Sequence, residues 1–164
     1  MSLKVLEVFV PERFPFGEAD KKGLRLAGGD FDFHALCEID GVKGHLWFYG
    51  CEGLLYNGAS NKLGWPIKNY YGEAKKDACG LGHDILYAHG GEVKGLGRKL
   101  KAGECDDYIR GSMREADFSR RDAGIVDRAV RIPLVHWFHF GKKNDKEGMH
   151  LNSEIVWIPI EEAN

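Results

Sequence analysis

Hydrophobic periodicity changes once in this chain, near Gly72, and that change limits the folds open to it. Before it, "LKVLEVFV" is aliphatic and β-branched, "DFDFHALCEI" alternates, and "HLWFY" is a short apolar run ending at Gly50. Such stretches predict strands. "GLLYNGAS" reads as a strand closed by a turn, since Asn57-Gly58 supplies the positive φ that tight turns need. After Gly72 the spacing becomes helical: Ala74, Ala78, Leu81, Ile85 and Ala88 recur on one side, predicting a helix over 73–88 that Gly90-Gly91 stops. A second helix is expected at about 103–117, with Cys105, Ile109, Met113 and Ala116 on one stripe. A third starts at Ser119, where "SRRD" forms a capping box, and runs through Ile125, Val126, Ala129 and Val130 until Pro133 ends or kinks it. "EIVWIPI" is a final strand, and Pro159 suggests a sheet edge.

Strands, then helices, then a strand, with no βαβ alternation and no internal repeat, predict an α+β fold. The expectation is a small, mainly antiparallel sheet packed with a three-helix unit. At 164 residues one domain over 1–164 is expected, divided into strands (1–60), a helical unit (73–140) and the C-terminal strand (150–160). The segment "HGGEVKGLGRKLKAG" carries five glycines and four basic residues, Lys94, Arg98, Lys99 and Lys101, and is expected to be a mobile, solvated connection.

Composition narrows the function classes. A net charge of -2 offers no global basic field, so nucleic acid is not an expected partner. No run approaches the roughly 20 apolar residues of a membrane span, and "MSLKVLEVFV" has no export signal, so a soluble protein is expected. Cys37, Cys51, Cys79 and Cys105 form no C-x-x-C pair, so reduced thiols are expected. The histidines of "HWFH", His136 and His139, are read with Trp137 as amphipathic packing residues.

The chemistry concentrates in "DACGLGHDILY", residues 77–87. On a helix His83 and Asp84 point about 100° apart, so the imidazole and the carboxylate serve neighbouring directions. Asp77, Gly80, Asp84 and Tyr87 share one stripe, and Cys79, His83 and Leu86 the next. An imidazole acts as a general base when its other nitrogen is held in one tautomer, usually by a carboxylate. Asp106 falls on the apolar stripe of the second helix, whereas Asp107 aligns with Arg110 and Arg114 on the polar side. A buried carboxylate needs a partner. His83, on an antiparallel neighbour, is the candidate. The same pairing also suits two groups that satisfy each other structurally.

"D-A-C-G-L-G-H-D-I-L-Y" followed by "C-D-D-Y-I" resembles the H-D-x-x-Y and later Asp pattern of the phospholipase A2 superfamily, and is most similar to the parvoviral capsid type, where an Asp precedes H-D by six positions as Asp77 does. That resemblance implies that His83 activates water, Asp106 orients His83, Tyr87 and Asp77 support the carboxylates, and Asp84 ligates calcium. The ion would polarise an ester carbonyl, its shell completed by the loop 57–64 with Asn57 and Gly58. Residues 56–131 also resemble a family of bacteriophage and prophage proteins with D-G-A-S, H-D-x-x-Y and E-A-D motifs; this chain has Asn57 where that family has Asp. The implied partners are a phospholipid or other envelope ester, or phage virion proteins, and the implied locations the virion or host cytoplasm. Two functions follow: a calcium-assisted lipid-ester hydrolase with a His83/Asp106 dyad, or a non-enzymatic virion or assembly protein that uses the same helices structurally.

Overall fold

Alternating burial builds the sheet. The computed structural model describes residues 2–21, 24–56, 73–131, 140–141 and 149–161. Among them, β1 (Leu3–Phe9), β2 (Arg25–Leu26), β3 (Phe31–Ile39), β4 (Val42–Gly50) and β5 (Leu55–Tyr56) precede α1 (Ala74–Ala88), α2 (Ala102–Glu115) and α3 (Arg120–Val130), and β6 (Ser153–Pro159) follows. The main sheet has the order β1-β3-β4-β6, with each neighbouring pair antiparallel, and β2 and β5 form a separate antiparallel pair. This is the α+β arrangement expected. Phe33, Ala35, Cys37 and Ile39 of β3 and Leu46 and Phe48 of β4 point to one face and are buried, as period-two geometry requires.

β3 and β4 meet through Asp40 and Gly41, with φ of 52° and 82°. Two successive positive φ values make the tight hairpin turn whose twist matches antiparallel strands. β4 therefore extends on both sides of the short run "HLWFY" and pairs with β3 along nine residues.

The helices cover the buried face. α1 lies deepest, with ten buried residues including Ala78, Leu81, Ile85 and Leu86. Its small residues permit close approach: a Cβ at Gly82 would collide with the ring and hydroxyl of Tyr108, which is fully buried, packs on Phe48 and donates to the Ala78 carbonyl at 3.1 Å. α2 packs on β1, where Gly111 faces Val5; a Cβ there would stand 2.9 Å from the Val5 Cβ. Its expected stripe is buried, Cys105, Ile109, Met113 and Ala116 being between 0% and 6% exposed. Ser119 caps α3, its hydroxyl accepting from the Asp122 amide at 3.1 Å. α3 buries only Val130 and joins a small satellite core with Cys79, Ile109, Met113 and Ala116. Arg110 of α2 ties to Asp127 of α3 at 2.8 Å.

The connection between α1 and α2 differs from the mobile segment expected. Gly91 donates to Leu86 at 3.0 Å and Leu100 to Gly91 at 2.8 Å, while Val93 and Leu100 are buried. Lys94 bridges the outer edge of β6, donating to Ile155 and accepting from Trp157. Arg98 grips Glu104 through two nitrogens, at 2.6 and 2.9 Å, and Asp40 at 2.7 Å. Glu104 also accepts from the Lys101 amide, so the start of α2 is locked to the β3–β4 turn. These restraints come from distant residues, which local glycine content does not report. β6 is an edge strand of the sheet, as Pro159 suggested. No described helix is long and apolar enough to cross a membrane.

Candidate active site

α1 and α2 touch in an antiparallel sense: Ala78 meets Tyr108, and further along α1 His83 and Tyr87 meet Asp106. His83 Nε2 lies 3.1 Å from Asp106 Oδ1, and the Tyr87 hydroxyl donates to the same oxygen at 2.5 Å. All three residues are buried, at 7%, 1% and 5% exposure. The His83 and Tyr87 rings lie against each other, 4.3 Å between centroids, one helical turn apart.

The hydrogen-bond inventory assigns the imidazole tautomer. An oxygen accepting from the Tyr87 hydroxyl behaves as a carboxylate oxygen, so His83 Nε2 carries the hydrogen and donates to it. In the neutral ring Nδ1 then holds a lone pair. Nδ1 lies 3.6 Å from Asp84 Oδ1, whose side chain is 36% exposed against 9% for His83. At that separation no direct hydrogen bond forms, and a lone pair facing a carboxylate is repulsive unless a proton, water or cation intervenes. Nδ1 of His83 is thus the ring nitrogen that Asp106 does not engage, and it lies beside the partly exposed carboxylate of Asp84.

Burial works against the imidazolium, but the carboxylates of Asp106 and Asp84 outweigh it and hold the His83 pKa above its ordinary 6.5. Burial, reinforced by Asp106, pushes the Tyr87 phenol far above its usual range and keeps it a donor. Cys79 and Cys105, on the facing helices, are free and buried; burial raises the Cys79 thiol to about 12 and that of Cys105 further. Cys79 donates to the Lys75 carbonyl instead of bridging to Cys105.

Of the residues singled out in the sequence, His83, Asp84, Tyr87 and Asp106 come together. Asp77 sits six residues before His83, about 9 Å along the helix axis, where its buried carbonyl accepts from Tyr56 at 3.1 Å. Asn57, Gly58 and the rest of the loop 57–64 lie outside the described residues, as do His136, Trp137 and His139. Calcium takes six to eight oxygens. Asp84 is the carboxylate beside His83 Nδ1, and among the described residues no group of three metal-ligating side chains assembles, so these residues alone fall short of a calcium shell. A groove of about 470 Å³ opens between the α1–α2 connection and β6, lined by His89, Lys94, Arg98 and Glu154, and none of the four site residues lines it.

Phe140 is a site neighbour that periodicity did not single out. Its ring meets Tyr87 edge-on at 5.3 Å, and the next residue, Gly141, donates to the Tyr87 carbonyl at 2.9 Å. The contact depends on where the chain returns after α3, and no local pattern encodes that. Compared with protein-family models, curated proteins and solved structures, the chain matches none.

Proposed function

We propose that this chain is a hydrolase in which His83 activates water, Asp106 holds His83, and the substrate is a lipid ester. The observation that carries the reading is the shared Asp106 oxygen: it fixes the Nε2–H tautomer and leaves Nδ1 as the base, beside Asp84. Water placed there gives its proton to Nδ1 as its oxygen attacks the ester carbonyl carbon. The imidazolium then returns the proton to the departing alkoxide oxygen, and the carboxylic acid is released. Asp106 stabilises the transient imidazolium, and Tyr87 keeps the carboxylate from turning away.

Calcium at Asp84 belongs to the proposal as a separate element, supported by the pattern around His83 and by the single exposed carboxylate beside Nδ1. When bound, the ion would supply Lewis-acid polarisation of the carbonyl. Similarity to phage proteins makes a virion or host-cytoplasmic setting part of the same proposal. The rival is a virion or assembly protein in which His83 and Asp106 hold two helices together, and the depth at which His83 is buried favours it.

Phospholipid vesicles with and without calcium separate the two. The hydrolase reading expects fatty-acid release by the wild type and loss of it in His83→Gln, which keeps a donor toward Asp106 and stays folded. Calcium is expected to raise Tm in the wild type and not in Asp84→Asn. Absence of turnover in the wild type, with His83→Gln losing stability, would leave the structural reading.

A further inference from the structure

The helices cover one face of the main sheet, and on the opposite face one row crosses three strands as Phe9, His34 and Trp47. The His34 ring lies 4.5 Å from that of Phe9 at 13°, and 3.9 Å from that of Trp47 at 27°. Phe9 and Trp47 stand on the strands either side of β3, so both faces of the imidazole are covered and its edge, where the nitrogens lie, is what it offers. In the next row toward the β3–β4 turn, Glu7 and His45 flank Leu36. Both are diagonal neighbours of His34, a separation that long side chains span. His45 brings its ring to 5.0 Å from that of His34, at 72°. Because the faces of His34 are taken, that contact is made at its edge.

Hydrogen bonding separates these two imidazoles from those near the helices. His83 and His89 each bond a side chain, Asp106 and Ser153 respectively. Among the described residues His34 and His45 bond none: Nδ1 of His45 is enclosed without a partner, while Nε2 of His45 and both nitrogens of His34 are neither bonded nor enclosed. Glu7 is exposed and makes no ion pair among the described residues. Burial, followed by the charge of His45, holds the His34 pKa below its ordinary 6.5 against the pull of Asp32, so near neutral pH the ring is uncharged, the form that binds metal.

The spacing of the rings agrees with a shared ion. A first-row metal stands about 2.0–2.1 Å from an imidazole nitrogen, and about 1.2 Å more separates that nitrogen from the ring centre, so two rings on one tetrahedral ion lie about 5 Å apart. His34 and His45 are already at 5.0 Å.

We infer that His34, His45 and Glu7 form a transition-metal site on the exposed face of the sheet, the imidazoles ligating through nitrogen, Glu7 through a carboxylate oxygen, and water completing the shell. In their present rotamers no three described side chains converge, so Glu7 turns in when the ion binds. The imidazoles need no such movement of the backbone, since β3 and β4 are paired along nine residues. Affinity therefore rests on the histidines. Such donors suit zinc(II) and copper(II), copper being the tighter. Calcium takes oxygen ligands, so this site is independent of the calcium proposed at Asp84.

Titration calorimetry of the full chain with zinc chloride tests this, joined by copper(II) quenching of tryptophan fluorescence, because Trp47 stacks directly on His34. Saturable binding of the ion is expected, with excess calcium failing to compete. His34→Gln and His45→Gln should each weaken it at least ~tenfold, since even changes behind the ligands cost about 10–100-fold. Glu7→Gln should weaken it by less. Cys51→Ser and His89→Gln, which remove donors elsewhere, should bind as the wild type does. Circular dichroism checks that each variant is folded. A wild type without saturable binding, folded His34→Gln and His45→Gln variants that bind as tightly as wild type, or loss of binding in Cys51→Ser or His89→Gln would overturn the site. Unchanged affinity in Glu7→Gln would overturn the part given to the carboxylate.

Discussion

Tyr87 and His83 converge on one oxygen of Asp106, and that oxygen is the most consequential atom in the molecule. A hydrogen bond to a charged group contributes about 1.5–3 kcal/mol, so Tyr87→Phe is expected to lower unfolding free energy by about that much in urea titration. A loss within experimental error would show that Asp106 finds another donor. The same convergence ties stability to pH. The folded pKa of His83 stands above its unfolded value near 6.5, so its contribution to stability is complete below 6.5 and declines as pH rises through the folded pKa. The proposed hydrolysis needs the neutral ring and should rise over the same window. In calcium-free buffer, activity and the His83-dependent part of stability are expected to move in opposite directions with pH, the latter isolated by comparison with His83→Gln. The pairing was legible in sequence because Asp106 falls on an apolar stripe where a lone carboxylate is costly. Phe140 was not legible, since its contact with Tyr87 depends on a chain return after α3.

At the scale of elements, the α1–α2 contact depends on glycine. Ala at position 82 would gain roughly 1 kcal/mol in helix propensity. The added methyl, however, meets Tyr108, held in place by its bond to Ala78 and with no exposed surface into which to move. Overpacking of this kind costs about 1–3 kcal/mol, so Gly82→Ala is expected to destabilise the protein in thermal or chemical unfolding. A stabilised variant would mean that the helices can separate freely. Helical periodicity read α1 and α2 closely, because each buries a regular stripe. β4 was read short, although Asp40-Gly41 is the dipeptide that a two-residue hairpin turn favours and is present in the sequence for that use. The α1–α2 connection was read as mobile because its anchors, Glu104, Asp40 and β6, are distant in sequence or belong to other elements.

For the whole molecule, apolar burial is unequally shared. α1 is buried on nearly every side, whereas α3 buries one residue and leans on a satellite core and an ion pair. Local opening costs least where few apolar contacts are lost. Amide hydrogen exchange is therefore expected to release α3 well before α1 and the β3–β4 ladder; protection of α3 equal to that of α1 would contradict this. The α+β class was legible because the strands and helices are segregated along the chain, while the unequal share of burial depends on which surfaces meet. Lys94 has a further consequence for the open side of β6. By taking up the Ile155 carbonyl and the Trp157 amide, with Pro159 lacking a donor nearby, it blunts that rim as a template for strand addition. Runaway lateral growth into fibrils is thereby discouraged at the C-terminal margin of the sheet.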